Sequence, residues 1–191
     1  MKLVLASASP RRRELMAAIG LPFTVDSSSI EELQRTGEAP ETYVRRLAQE
    51  KAAEVKSRHA DAWIIAADTI VYIDGTILEK PVDHDDAVRM LSLISGRMHE
   101  VFTGLTLSRA DSIDSWTRVV TTKVTMLPLS RSEIEWYAST GEPMDKAGAY
   151  AVQGIGAMFI ESIDGNYTNV VGLPLAALFE MMKAAGLNPL Q

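Results

Sequence analysis

Cysteine is absent from this 191-residue chain. That absence excludes disulfides and thiolate metal sites and fits a reducing compartment. Long apolar runs are missing too: nothing approaches the roughly 18 consecutive apolar residues of a membrane span. The opening "MKLVLASASP" places Ala6-Ser7-Ala8 like a signal-peptide cleavage site. The apolar stretch before it, however, is shorter than the roughly seven residues a signal's hydrophobic region needs. The expectation is a soluble, cytoplasmic protein with no membrane partner. A basic excess is lacking as well, with 19 Lys and Arg against 25 Asp and Glu and a net charge of -6. Aromatic residues make up 6% and are scattered. A general nucleic-acid face needs positive charge and stacking platforms, so nucleic acid is not expected as a partner, and any anion must be met by a local cluster. The three histidines, His59, His84 and His99, share no metal-ligand spacing, and His99 alone falls in a strand pattern.

Internal repeats, low-complexity tracts and Gly/Ser linkers are also missing. Residues 1–191 therefore read as a single domain. Strand and helix patterns alternate along it, which places it in the α/β class. Leu3–Ala6 reads as a strand, and Ser9 and Pro10 as the cap and first position of a helix stopped by Gly20. Phe23–Val25 is a short strand. In "PETYVRRLAQEKAAEV", Val44, Leu47, Ala48, Lys51, Ala52 and Val55 share one helical face. "WIIAAD" (63–68) reads as a buried strand ending in a carboxylate, and 69–81 as a hairpin turning at Asp74-Gly75. Asp83 caps a helix that Gly96 stops. Residues 99–107 and 117–127 alternate as strands, and Ser130 with Glu133 forms a capping box. "GAYAVQG" and "AMFIESI" read as two further strands, and Pro174–Ala185 as a closing helix.

Against this acidic background, "LASASPRRREL" (5–15) sets three arginines at a helix start. A helix N-terminus carries unpaired N–H groups and partial positive charge, so Arg11, Arg12 and Arg13 oppose it. The arrangement makes sense if a ligand supplies negative charge. Backbone N–H groups, the Ser7 and Ser9 hydroxyls and guanidinium forks would together hold a phosphate. Three consecutive helical side chains cannot share one target, so at least one arginine is a solvated surface residue. No G-x-x-x-x-G-K-[ST] loop is present.

Asp68 follows an apolar run at the predicted carboxyl end of a strand, where open α/β sheets bind ligands. It reads either as a Mg²⁺ ligand or general base, with the Thr69 hydroxyl beside it, or as a turn aspartate. Lys51 on an apolar stripe must snorkel out or meet an anion. Lys80, stiffened by Pro81, is either a directed cation or a surface charge. Glu31 and Glu32 are either a second metal-ligand position or solvated loop acids. Gln153, before Gly154-Ile155-Gly156, could read a nucleobase edge, while the G-I-G itself marks a turn. Cations for a polyanion, acids for a metal and an amide for a base together point to a nucleotide.

The blocks "LASASPRRREL", "YVRRLAQEKA", "AADTIVYIDGTILEKP", "ISGRMHEVFTG", "GEPMDKAGAYAVQG" and "NYTNVVGLPL" occur in this order. Together they resemble the Maf family, the septum-formation-inhibitor-like nucleoside triphosphate pyrophosphatases, over nearly the whole chain. The resemblance implies a mixed, elongated sheet with flanking helices and two lobes around a central nucleotide cleft, similar to inosine triphosphate pyrophosphatases. It implies hydrolysis of a nucleoside triphosphate to the monophosphate and pyrophosphate with a divalent cation, Mg²⁺ first and Mn²⁺ or Co²⁺ as alternatives. Asp68 is then the proton acceptor that activates water, and Glu32 and Asp68 hold the metal. Ser7, Arg12, Lys51 and Lys80 face the phosphates, with Ser9 and Arg11 beside them. Arg12, Thr69 and Gln153 bear on substrate choice. The "SPRR", "ADT" and "QG" forms match the branch acting on dTTP and UTP. The branch acting on 7-methyl-GTP carries an aromatic at the place of Pro10 and a glutamine at that of Thr69. Modified pyrimidine nucleotides, in a house-cleaning role, are further expected substrates. A homodimer is also expected, and the alternative function is a nucleotide-sensing regulator of septum formation acting through a cell-division partner. Arg13 and Glu31 depart from the usual pattern, which leaves Glu31 and Glu32 both in view as the metal ligand.

Overall fold

A computed structural model describes residues 2–188. Strands β1 (Leu3–Leu5), β2 (Phe23–Val25), β3 (Trp63–Ile73), β4 (Thr76–Leu78), β5 (Met98–Arg109), β6 (Ser115–Met126) and β7 (Ile160–Asp164) form one sheet. Its order is β2-β1-β3-β5-β6-β7, with β4 paired to β3. β1 runs parallel to β2 and β3, whereas β4 and β7 pair antiparallel with β3 and β6. The helices are α1 (Pro10–Ala18), α2 (Pro40–Lys56), α3 (His84–Ile94), α4 (Arg131–Ser139), α5 (Tyr167–Val171) and α6 (Leu175–Ala184). The expected mixed α/β sheet with helices is thus present. Among the described residues no helix is long and apolar enough to cross a membrane.

The chain divides into two compact units. The first takes in the chain up to Asp68, Thr103–Val120, and Gly172 onward; the second takes in Thr69–Phe102 and Thr121–Val171. Each has its own core. In the first, the parallel strands are buried on both faces, so their sequences are continuous apolar runs. Leu3, Leu5, Ile65 and Ala67 pack with Met16 of α1 and with Leu178, Met181 and Met182 of α6. Val4, Ala6, Ile64 and Ala66 pack on the opposite face with Ala52 and Val55 of α2. Strand alternation carries Asp68, two residues beyond Ala66, onto the α2 face.

Helix α2 begins with Pro40 at its first position and Glu41 in its first turn, and ends with Lys56 in its last, each suited to the dipole. Its buried stripe is Tyr43, Val44, Leu47, Ala48, Lys51, Ala52 and Val55, so the predicted face is correct and Lys51 is buried with it. Gly104 on β5 lets this helix approach closely. A Cβ there would stand 2.0 Å from the Val44 carbonyl oxygen, which no side chain tolerates.

In the second unit the β3–β4 turn has φ 47° at Asp74 and 82° at Gly75, the two left-handed residues of a tight hairpin. Asp83 caps α3 by accepting the Asp86 N–H at 2.8 Å, and the Ser130–Glu133 capping box on α4 is complete. The core joins Leu91 and Ile94 of α3, Ile134 and Tyr137 of α4, and Val101 and Val124 of the sheet.

Three expectations need correction. β3 does not end at Asp68; the β-branched and aromatic run Thr69–Ile73 continues it, and β4 pairs with its last residues. "GAYAVQG" is not a strand, because Gly148 and Ala149 take φ 70° and 60° and Gly154 takes 70°, breaking any extended ladder. The backbone instead makes 3₁₀ turns over Ala147–Ala149 and Gly154–Phe159, and only Ile160–Asp164 is a strand. Ser9 precedes α1 as predicted, but its side chain makes no cap bond.

His99 is buried on β5, its Nε2 2.8 Å from the Tyr150 hydroxyl. Burial pushes its pKa down to about 4. The unfolded imidazole takes up its proton near the ordinary value of about 6.5, so between those two pH values the unfolded state binds more protons. Stability should therefore fall as pH drops through that window, by about 3 kcal/mol from this group. Urea unfolding of the wild type and His99→Gln across pH 4–7 checks this: the variant should lack that part of the slope, and an identical slope in both would refute it.

Candidate active site

A buried ammonium organises the polar end of the first unit. Lys51 Nζ donates to Asp68 Oδ1 at 2.7 Å and meets Glu32 Oε1 at 2.7 Å. Its side chain is 9% exposed, that of Asp68 6% and that of Glu32 47%. Of the two outcomes open to a lysine on an apolar stripe, meeting an anion is the one realised. The acid it meets through the sheet is Asp68 because residues 64, 66 and 68 share the α2 face. Of the adjacent acids Glu31 and Glu32, both exposed, Glu32 is the one that ion-pairs with Lys51.

Glu32 lies on a loop without regular structure, and the loop is tied to α2 at several points. Glu54 accepts the Ser28 hydroxyl at 2.5 Å, the Ser29 N–H at 2.9 Å and the Ser29 hydroxyl at 3.0 Å. These donors hold the Glu54 carboxyl below its ordinary pKa, the Ser28 bond most of all. The Tyr43 hydroxyl donates to the Glu32 carbonyl at 3.1 Å. Arg46 donates to the Leu33 carbonyl at 3.0 Å and to both Glu38 carboxylate oxygens at 2.7 and 2.8 Å. Sequence reading missed Glu54, Tyr43 and Arg46. The available signal was their place on the Lys51 helix, next to a serine run rich in donors.

Arg12 joins the cluster from α1. Its Nε donates to the Gly172 carbonyl at 2.7 Å, and its Nη1 to the Ala67 carbonyl at 2.8 Å and the Ser7 hydroxyl at 3.2 Å. Burial lowers its pKa, opposed by the charges of Asp68 and Glu32. Ser7 is buried and also accepts the Ser9 N–H at 3.2 Å, which orders the turn into α1. Arg11 is half-buried and Arg13 exposed, so the arginines sort as the helix geometry requires.

Ser7, Arg12, Glu32, Lys51 and Asp68 are thus brought together. Thr69, Lys80 and Gln153 belong to the second unit. Thr69 is half-buried and Lys80 exposed; the Glu79 carbonyl before Lys80 is held by the Gly148 N–H at 3.0 Å. Gln153 is half-buried and extended, immediately before the 3₁₀ turn.

Chemically, the first-unit cluster offers two carboxylates, two fixed cations and a buried hydroxyl. Among the described residues no group of three or more His, Asp or Glu side chains is disposed to hold a metal. A pair of acids nevertheless fits Mg²⁺, which commonly takes one or two protein carboxylates and completes its shell with water and substrate phosphates.

The sequence model of the family described as "Maf-like protein" matches residues 2–185. This chain belongs to the Maf family. Among its Maf relatives, the dTTP/UTP pyrophosphatase of Myxococcus xanthus is 50% identical, covering 97% of this chain and 93% of its own length. That of Geobacter sulfurreducens is 49% identical over 97% of each chain. That of Symbiobacterium thermophilum is 46% identical over 97% of this chain and 94% of its own. In this Maf chain the six ordered sequence blocks therefore run the length of a family match, and Asp68, Lys51 and Arg12 fall within it.

Removing the ammonium should leave Asp68 buried without its ion-pair partner. Lys51→Met is expected to destabilise the protein by about 3 kcal/mol, the cost of breaking a buried ion pair from one side. Lys51→Met combined with Asp68→Asn should recover part of that loss. Urea midpoints of the wild type and the two variants check this; equal stability of Lys51→Met and the wild type would contradict it.

Proposed function

We propose that this Maf protein hydrolyses nucleoside triphosphates, dTTP and UTP first and modified pyrimidine nucleotides with them, to the monophosphate and pyrophosphate. The observation that carries the reading is the Lys51-bridged pair of Asp68 and Glu32 beside the half-buried Arg12. Relatives at 45–50% identity named dTTP/UTP pyrophosphatase support the substrate class. Pro10 and Thr69 agree with that branch.

Glu32 and Asp68 are the residues that would hold Mg²⁺, which when bound neutralises phosphate charge and acts as a Lewis acid. Mn²⁺ or Co²⁺ suits the same oxygen ligands. Lys51 occupies Asp68 Oδ1 and fixes the carboxylate, leaving Oδ2 to take a proton from the attacking water. The water attacks the α-phosphorus in line, and pyrophosphate leaves with the electron pair of the broken P–O bond. Ser7, Ser9, Arg11, Arg12 and Lys51 are the first unit's groups for the phosphates; their positive charge meets the charge that develops on the leaving group. For the second unit, Lys80 takes the same electrostatic role, and Thr69 and Gln153 read the base. Those three assignments rest on the family resemblance.

A regulatory protein that senses nucleotides through a cell-division partner would bind without turnover, and the acid–lysine cluster favours turnover. The deciding experiment is a panel of canonical and modified nucleotides with Mg²⁺, read by pyrophosphate release. Release from dTTP and UTP above the purine nucleotides is expected. Binding without release from any nucleotide would favour the sensor. Asp68→Asn should keep nucleotide binding and lose roughly 10²–10⁴-fold in kcat, the range for a general base; near-normal kcat would remove Asp68 from that role. Gln153→Ala should lower the preference for dTTP over dCTP and dGTP, and equal losses for every nucleotide would oppose base reading.

A further inference from the structure

Gln153 is followed directly by Gly154-Ile155-Gly156, and both glycines are required by what stands against them. A Cβ at Gly154, with φ 70°, would lie 2.9 Å from Glu142 Oε2. A Cβ at Gly156 would lie 2.4 Å from the Tyr137 hydroxyl. With those Cβ atoms absent, one carboxylate gathers the turn. Glu142 Oε2 accepts the Ile155 N–H at 2.9 Å, and Oε1 accepts the Gly156 N–H at 3.1 Å and the Tyr137 hydroxyl at 3.1 Å. The same hydroxyl accepts the Ala151 N–H at 3.1 Å. The backbone is therefore held two residues before Gln153 and two residues after it by a single phenol–carboxylate pair. Tyr137 is itself fully buried on α4, edge-to-face against Phe159 with ring centroids 5.2 Å apart.

A glutamine has three rotatable side-chain bonds, so its amide discriminates among bases only if the backbone beneath it is fixed to a fraction of an ångström. Charge-assisted bonds to a carboxylate are the strong way to fix it. Five to fourteen residues separate Glu142 from Tyr137, Ile155 and Gly156, so the clamp joins the end of α4 to the turn after Gln153. We propose that Glu142 and Tyr137 are positioning residues that aim the Gln153 carboxamide and so set the enzyme's choice of base. The proposal rests on the base-reading role given to Gln153 above.

Glu142→Gln sets an NH₂ group against a backbone N–H, donor facing donor. Tyr137→Phe keeps the ring and removes only the bridging hydroxyl. Both are compared with Gln153→Ala and with the double variant Glu142→Gln/Gln153→Ala. The readouts are kcat/KM for dTTP, UTP, dCTP and dGTP, inhibition by inorganic tripolyphosphate, and thermal unfolding. Each single variant should lower the preference for dTTP over dCTP and dGTP roughly tenfold, the worth of a hydrogen bond to a charged group. Inhibition by tripolyphosphate, which has no base, should stay unchanged. The double variant should lose no more preference than Gln153→Ala alone, since the two act as one unit. The positioning role is overturned if Gln153→Ala lowers the preference while Glu142→Gln and Tyr137→Phe do not. It is also overturned if their losses fall equally on every nucleotide, or if the double variant's losses simply add. An unchanged preference in Gln153→Ala defeats the base-reading role first, and this proposal with it. Should Glu142→Gln fail to fold, Tyr137→Phe decides by the same criteria.

Discussion

A lysine ammonium buried between two carboxylates is the constraint around which the first unit is arranged. An unpaired charge in such a place would cost several kcal/mol, so every element that brings Lys51, Asp68 and Glu32 together has to hold its position. β3 supplies Asp68 on the even-numbered face that α2 covers. Gly104 permits α2 to press onto β5 with backbone against side-chain-free backbone. Glu54, Tyr43 and Arg46 then fasten the Glu32 loop to the same helix. Arg12 adds a second, half-buried cation, tied to the Ala67 and Gly172 carbonyls and to Ser7. The three arginines that look misplaced at a helix start therefore divide: Arg12 is tied into this cluster, Arg11 is half-buried, and Arg13 is solvent-facing.

The second unit solves a different problem by the same means. Where the first fixes side chains by pairing charges, the second fixes backbone with one carboxylate. Glu142 takes two N–H groups and a hydroxyl, and the glycines after Gln153 make room for it. In the proposed reaction these are complementary demands. Phosphate chemistry needs fixed charge that meets a charge developing on the leaving group. Base selection needs a fixed direction for a neutral amide. An overall acidic protein satisfies the first demand locally, because Lys51 and Arg12, two of the cations that would face phosphate, are held among acids and carbonyls.

Much of this was legible in the sequence where a single local rule decided the outcome. The α2 stripe, the Asp74-Gly75 turn, the Asp83 cap and the Ser130–Glu133 box depend on neighbouring residues and were found correctly. Lys51 stood out because a cation on an apolar stripe demands a partner, although which acids would meet it depended on strand register and on a loop with no pattern. "GAYAVQG" was misread because apolar alternation says nothing about positive φ, and Ala149 adopts it without being glycine. Asp68 was placed at a strand end because the apolar run stops there, while the strand itself continues on β-branched residues. Glu142 gave no sign at all: an acid beside a proline looks like a solvated loop charge until the turn 13 and 14 residues on is seen folded against it. The substrate and the roles proposed for Thr69 and Lys80 rest on resemblance to relatives, because no folding rule reaches them.

The central claim is that water, deprotonated at Asp68, attacks the α-phosphorus of a nucleoside triphosphate. Turnover of dTTP in ¹⁸O-labelled water, with both products weighed by mass spectrometry, tests it most directly. The account predicts one ¹⁸O atom in the nucleoside monophosphate and none in the pyrophosphate. Label in the pyrophosphate would place the attack on the β-phosphorus and contradict the account.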